Sequence, residues 1–335
     1  KNLKSAQMRH SIEIIIKTAP KCSVMPELFD TNPDYIGTPL GTALLKTGDL
    51  VAAEQEHYIS KLTNVNPVNE VPHEWLNFLE KIFNGDRKMI FFVQCVCGYA
   101  LTGLTREEKL FFLYGSGANG KSKFLEILFY LMGDYARRAP ATLFLEQRNE
   151  QHPTSMAGLQ GSRLVIGSEL PSGKTWNEQV IKDMTGGDTI TARLMRQDFF
   201  DFKPQFTLLI AGNHQPRLKN VDESMVRRVT LIPFSVTIPL EERDMMLGDK
   251  LKNEAGAILN WCIDGAVEYY KSGLNIPNNV IEASKSYVDN EDVTGEFIAT
   301  HLSENTSQRT LFDDVYLRYK AWMHNSGNNF IKRDR

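Results

Sequence analysis

The sequence predicts an α/β fold with a mostly parallel central sheet, preceded by a helical module and followed by a further helical segment. Three observations carry this reading. Short apolar runs, EKLFFLYG (108–115), RLVIG (163–167), FTLLIA (206–211) and VTLIPF (229–234), have the length and continuous apolarity of strands buried on both faces. Polar or helical stretches separate them, which is the alternation of a parallel sheet. The first run ends in a glycine-rich turn, and KSKFLEILFYLMG follows at once with a helical period that closes at Gly133.

Taken in order, residues 1–70 form a small irregular module punctuated at Asn32-Pro33, Gly37, Pro39, Gly41 and Gly48, with short β-prone pieces such as VAAEQEHYISKLT. Residues 71–107 are a helical module, WLNFLEKIF and MIFFVQCVCGYAL, broken at Asn84-Gly85-Asp86. The α/β core spans 108–273 and includes a long helix from Glu254 to Gly273. Residues 274–335 form a C-terminal helical module with an amphipathic helix in TLFDDVYLRYKAWMHNSG. The start at Lys1 and the end at IKRDR read as cuts from a longer chain.

Composition narrows the function. A chain of 335 residues, 42% hydrophobic and 24% charged, is globular, with no apolar run near the roughly 20 residues of a membrane span and no secretory start. The expectation is an intracellular, cytoplasmic protein without a membrane partner. Cys22, Cys95, Cys97 and Cys262 lack zinc-ligand spacing and are expected as reduced, buried thiols. A net charge of -3 argues against a wholly basic surface, so any DNA contact is local.

Residues Gly115, Ser116, Gly117, Ala118, Asn119, Gly120, Lys121 and Ser122 match G-x-x-x-x-G-K-[ST]. The glycines let backbone N–H groups turn inward around phosphate oxygens, and the helix that follows points its positive end at them. Lys121 would neutralise the β- and γ-phosphates, and Ser122 would give its hydroxyl to Mg²⁺. ATP and Mg²⁺ are therefore the expected ligands, and the position between strand and helix supplies the required context.

Three further features stand at strand ends. Glu169 follows RLVIG, where a carboxylate can hold the metal shell or polarise water; a solvated acid is the plainer alternative. Asn213 follows FTLLIAG, where an amide can bond the γ-phosphate or orient water; a turn-forming Asn is the alternative. Arg227 and Arg228 precede VTLIPF, where an exposed arginine could enter a neighbouring subunit's site as an arginine finger, or the two could be a surface pair.

From about Phe78 to Phe234 the chain resembles the superfamily 3 helicases, specifically the primase–helicases of phages, plasmids and large DNA viruses, poxviruses included. The matching stretches are GYALTG before the loop, GSGANGKS, LQGSRLVIGSE, IKDMTGGDTITARLM, AGNHQP and VRRVTLIPF. The segment Ile181 to Met195, with its spacing of Lys182, Gly186-Gly187-Asp188 and Arg193, is the most distinctive. The resemblance implies an AAA+-type core forming a hexameric ring around single-stranded or forked DNA, driven by ATP hydrolysis. It gives Lys121 and Ser122 the phosphate-loop roles, Glu169 the second acidic motif, Asn213 the sensor, and the Arg227-Arg228 pair the trans finger, with Arg228 preferred. The wider superfamily often has two adjacent acids where this chain has Ser168-Glu169, and the primase–helicase branch resembles the chain in using one.

The resemblance also implies a pore hairpin over Thr189 to Lys203, with Lys182, Arg193, Arg196 and Lys203 as candidate DNA contacts and Phe199-Phe200 packing or stacking on bases. Residues 182–228 hold eight basic and six acidic residues, a small excess that suits charges organised in a pore. The YLRYKAW helix resembles the opening of a winged-helix module; a solvated charged helix is the alternative. A primase or polymerase domain is expected upstream. The competing reading is a phosphate-loop NTPase, a kinase or remodelling ATPase, that does not act on nucleic acid.

Overall fold

The computed structural model describes residues 6–19, 24–147, 154–167, 170–219, 223–291, 293–303 and 309–325. Its strands are β1 (Tyr35–Thr38), β2 (Gly41–Leu44), β3 (Leu50–Val51), β4 (Leu110–Tyr114), β5 (Ala136–Ala139), β6 (Leu164–Gly167), β7 (Ile190–Arg193), β8 (Phe199–Phe202), β9 (Thr207–Gly212) and β10 (Val229–Pro233). The first half of the helices comprises α1 (Ala6–Thr18), α2 (His73–Ile82), α3 (Arg87–Thr102), α4 (Lys121–Met132), α5 (Thr154–Ala157) and α6 (Glu178–Gly186). The second half comprises α7 (Glu223–Arg228), α8 (Leu247–Asn253), α9 (Ala255–Ser272), α10 (Asn278–Glu291), α11 (Val293–His301) and α12 (Phe312–Asn325).

Five strands make the central sheet in the order β10-β4-β9-β6-β5, and every neighbouring pair is parallel. All five C-terminal ends therefore open on one edge, where Tyr114 stands beside Gly212 and Pro233, and Gly167 beside Ile210 and Ala139. Alternate residues enter two different cores. Phe111, Leu113, Ile166, Leu209 and Ile232 join α2, α3, α4 and α9 on one face. Leu110, Phe112, Val165, Leu208 and Leu231 join Met184, Met225 and Tyr287 on the other. Both faces being covered explains the continuous apolar runs, and burial of Phe111 and Phe112 contributes roughly 2–3 kcal/mol each.

Two module boundaries read from sequence fall elsewhere in space. The long helix α9 pairs with α3 of the preceding helical module, where Gly98 lies against the backbone of Gly265 and Ala266, and Gly265 against the Gln94 carbonyl. The helix α10, expected in a separate C-terminal module, packs on β10. Its Ser284 hydroxyl accepts from Leu231 N at 2.8 Å, and its Tyr287 hydroxyl takes a 2.8 Å bond from Trp176 Nε1. Only α11 and α12 build a small cluster of their own, around Phe297, Tyr319 and Met323.

In the opening module, α1 and the antiparallel β1-β2-β3 sheet were not separately visible in the sequence; the β-prone VAAEQEHYISKLT is instead mainly short 3₁₀ and irregular. The module is fastened by Arg163, 3% exposed, whose guanidinium donates to the carbonyls of Tyr35 (2.6 Å), Leu101 (2.6 Å) and Asn32 (2.9 Å) and sits over the Tyr135 ring. Cys95, Cys97 and Cys262 are free and buried, whereas Cys22 lies outside the described residues. Among the described residues no helix is long and apolar enough to cross a membrane.

Candidate functional site

The phosphate-loop residues lie between the end of β4 and the start of α4, at the C-terminal edge of the sheet. Gly117 (φ +105°) and Gly120 (φ +87°) occupy the left-handed region, which spares them the Cβ clash, and Ala118 shares it at φ +49°. Gly120 also has no room for a side chain, because a Cβ would lie 2.9 Å from the Phe78 ring. Phe78 is in turn positioned by α2, whose first-turn amides of Glu74 and Trp75 donate to the Glu254 carboxylate at 3.0 and 3.1 Å. The helical module thus supports the loop from behind.

Lys121 is only 5% exposed, and its ammonium donates to two neutral acceptors, Gly115 O at 2.7 Å and Asn119 Oδ1 at 2.9 Å. The same Asn119 side chain donates from Nδ2 to Phe234 O at 3.0 Å, so one carboxamide links the lysine to the strand exit of β10. Desolvation without a carboxylate partner pushes the Lys121 ammonium down to about 8. A polyanion bound beside it would reverse that penalty.

Two cavities use the loop. The first, of about 260 Å³, is lined by Lys121, Ser122, Glu126, Arg138, Asn213 and His214. Asn213 is there because Gly212 pairs with Tyr114, so the residues after β9 and β4 emerge side by side. Glu169 lies outside the described residues; the flanking Leu170 lines this cavity, and the strand carrying it ends at Gly167. The second cavity, of about 420 Å³, takes Ala118 and Gly120 of the loop and is walled by Phe78, Ile238, Met245 and Leu247.

The arginine pair lies at the opposite edge. Arg227 and Arg228 end α7 just before β10, whose five residues run about 16 Å to the edge bearing the loop. The two differ in burial and in partners. Arg228 is 6% exposed and fully engaged: Nε donates to Thr185 Oγ1 (3.1 Å), Nη1 to Ser224 O (2.9 Å) and Oγ (2.6 Å), and Nη2 meets Glu108 at 3.1 Å. That ties α7 to the IKDMTGG helix and leaves Arg228 no free reach. The side chain of Arg227 is 63% exposed and, among the described residues, is held by Glu108 alone, at 2.8 Å.

Thr189 to Lys203 form a hairpin of antiparallel strands β7 and β8. Ile190, Ala192, Phe200 and Phe202 face the core, whereas Thr191 bonds Asp201 at 2.6 Å and Arg193 covers the Phe199 ring at 4.8 Å on the outer face. The aromatic pair is therefore split: Phe200 packs and Phe199, 58% exposed, does not. Met195 is 74% exposed at the tip, beside Arg196 in a left-handed conformation at φ +61°. Lys203 is exposed just after β8, and Lys182 is half-buried on α6, away from the hairpin strands. Sequence reasoning did not single out Arg138 and His214, which line the first cavity, or Glu108 and Thr185, which hold the arginine pair.

Parts of the chain match known families and proteins. A family model described as D5 N terminal like matches residues 1–84, and one described as a family of unknown function, DUF5906, matches 113–228. A helicase-named protein of Acanthamoeba polyphaga mimivirus is 29% identical over 319 residues, covering 88% of this chain and 33% of the relative. A helicase-named protein of Invertebrate iridescent virus 3 is 27% identical over 342 residues, covering 90% and 36%. The fowlpox virus primase D5 is 26% identical over 135 residues, covering 39% and 17%. Over most of its length the chain is thus similar to helicase-named proteins of large DNA viruses. Its fold is also that of the apo C-terminal region of NrS-1, at TM-score 0.56 and 14% identity over 86% of this chain and 66% of that one. The chain spans about a third of the length of the curated relatives it matches.

Proposed function

We propose that this part of the viral primase–helicase is its ATP-driven motor, an AAA+-type, superfamily 3 ring, expected to be a hexamer, that moves on single-stranded DNA and opens forked DNA. The observation that carries the reading is Lys121: a buried ammonium held only by neutral acceptors, at the mouth of a phosphate loop. A phosphate chain placed there compensates its burial, with the loop amides and the N-terminus of α4 adding donors. The nucleobase then takes the apolar cavity walled by Phe78 and Ile238.

Ser122 and Glu169 fit a Mg²⁺ site by donor chemistry, hydroxyl and carboxylate oxygen being the ligands this hard cation prefers. When bound, the ion supplies charge neutralisation at the transferring phosphoryl group. Asn213, in the same cavity, orients water or the γ-phosphate from the neighbouring strand. Arg227 is separated from its own loop by the length of the sheet, so a role in hydrolysis requires a second subunit. The β7-β8 hairpin, with Arg193, Arg196 and Lys203, is the DNA-contacting element, and Lys182 lies on the helix that leads into it. A primase domain belongs to the part of the protein preceding this segment.

ATP turnover with and without single-stranded DNA, measured alongside solution mass, tests the proposal. DNA-stimulated hydrolysis by a ring-sized assembly is expected. A monomer or dimer whose turnover ignores DNA would instead support a phosphate-loop NTPase of another kind.

A further inference from the structure

The cavity holding Lys121 and Ser122 contains a second cation to which the loop motif assigns no part. Arg138 stands one residue from the end of β5, the edge strand, in register with Ile166 of β6, and its side chain lines the cavity with Ser122, Glu126 and Asn213. Its strand neighbour Arg137 turns away and donates to the carbonyls of Asp134 and Ala136. The Arg138 guanidinium rests over the Phe129 ring at 4.7 Å. Among the described residues it has no carboxylate partner, and Glu126 of the same cavity is paired with Lys123 at 3.0 Å.

The placement follows from the helix. Ser122, Glu126 and Phe129 lie on one face of α4, with Phe129 two turns, about 10 Å, beyond Ser122. The ring therefore parks the guanidinium at the far end of the cavity from Lys121. A ring face is a weaker partner than a phosphate, which takes two parallel, charge-assisted hydrogen bonds from an arginine. Rotation about the arginine's own side-chain bonds carries it along the α4 face toward Ser122.

We propose that Arg138 is a cis-acting phosphate-binding residue that leaves Phe129 to contact the terminal phosphate of a bound nucleoside triphosphate, distinguishing triphosphate from diphosphate within one subunit. This rests on the nucleotide-binding reading above. It differs from the role given to Arg227, because Arg138 lies on the same sheet edge as the loop and needs no second subunit.

Calorimetric titration of the chain with ADP and with a non-hydrolysable ATP analogue, each with Mg²⁺, tests it. Arg138→Ala should weaken the triphosphate analogue by about tenfold while ADP stays within about twofold, and Arg138→Lys should recover part of the loss. Equal weakening of both nucleotides, or no change in either, overturns the assignment. Lys121→Ala should lose both ligands; if it does and Arg138→Ala changes nothing, only the Arg138 inference falls. Wild-type protein that binds neither nucleotide overturns both readings. Because Arg138 is exposed, an unchanged thermal melting curve is expected for both of its variants.

Discussion

Glu108 Oε2 receives both arginines that precede β10, Arg227 Nη2 at 2.8 Å and Arg228 Nη2 at 3.1 Å. Glu108 is itself at φ +52°, and Lys109 Nζ donates to Arg227 O at 3.0 Å, so the strand entry of β4 holds that of β10 from two directions. The two guanidiniums nevertheless have different duties. Arg228→Ala removes four polar contacts of a buried guanidinium and leaves Thr185 with its bond to Ile181 O alone among the described residues, a loss on the order of 3 kcal/mol in chemical denaturation. Arg227→Ala should cost little stability, being an exposed pair, yet lower ATP turnover by roughly a thousandfold. Mixing Arg227→Ala with Lys121→Ala protein should restore some turnover, through interfaces that combine an intact loop with an intact arginine. Mixed assemblies that stay inactive would remove the trans role from Arg227.

On the proposed phosphate-binding role of Lys121, nucleotide affinity should depend on alkaline pH. In the folded chain its ammonium is pushed down to about 8 by desolvation, from an ordinary value of 10.5. Between these values the unfolded chain holds a proton that the folded chain has shed, so apo stability gains from this residue as pH rises through the window, and below pH 8 the buried charge is a net cost. Phosphate reverses the balance by favouring the charged form. ATP binding near pH 8.5 should therefore take up protons, seen as a dependence of calorimetric heat on buffer ionisation enthalpy, and affinity should fall as pH rises above about 8. Binding heat at pH 8.5 that is the same in buffers of different ionisation enthalpy would remove this proton from Lys121.

What the sequence made legible follows from what is local. The four apolar runs became β4, β6, β9 and β10 because strands buried on both faces need unbroken apolarity, and β7 and β8 pair in the segment where the family resemblance implied a hairpin. The strand β5 was missed because ARRA, an edge strand, carries two exposed arginines between buried alanines. The difference between Arg227 and Arg228 was illegible for another reason. Two adjacent arginines are indistinguishable by pattern, and only the positions of Thr185 and Ser224 decide which of them turns inward. Likewise, α9 and α10 are clear helices in sequence, but their partners α3 and β10 are set by Gly98, Gly265 and Ser284 contacts that no local window contains.

Arg163 should govern whether the opening module stays docked. Its guanidinium joins Asn32 and Tyr35 of that module to Leu101 of α3, from a position immediately before β6. Arg163→Ala strands three carbonyls and empties a buried volume, so a destabilisation of about 3 kcal/mol or more is expected. Limited proteolysis should then cut first within residues 24–60. Lysine in its place recovers charge but not the planar reach to three acceptors, so Arg163→Lys should rescue only partly. Wild-type stability in both variants would show that the module is held mainly by other contacts, such as Tyr135 OH to Lys61 O at 2.9 Å.

Substitutions at the hairpin tip should separate the proposed DNA contact from the proposed ATP chemistry. Arg196 is exposed at the turn beside Met195, whereas Arg193 is already engaged by the Phe199 ring. Arg196→Ala should therefore leave basal ATP turnover unchanged and reduce both unwinding and single-strand affinity. If Arg196 neutralises one phosphate, the slope of log affinity against log salt should flatten by about 0.7 for single strands. Phe199→Ala frees Arg193 and removes an exposed ring, so its effect distinguishes two duties: a stacking ring loses affinity without changing the salt slope, while a mere seat for Arg193 leaves affinity nearly unaltered. An Arg196→Ala chain with wild-type salt slope and wild-type unwinding would move the DNA contact off the β7-β8 hairpin.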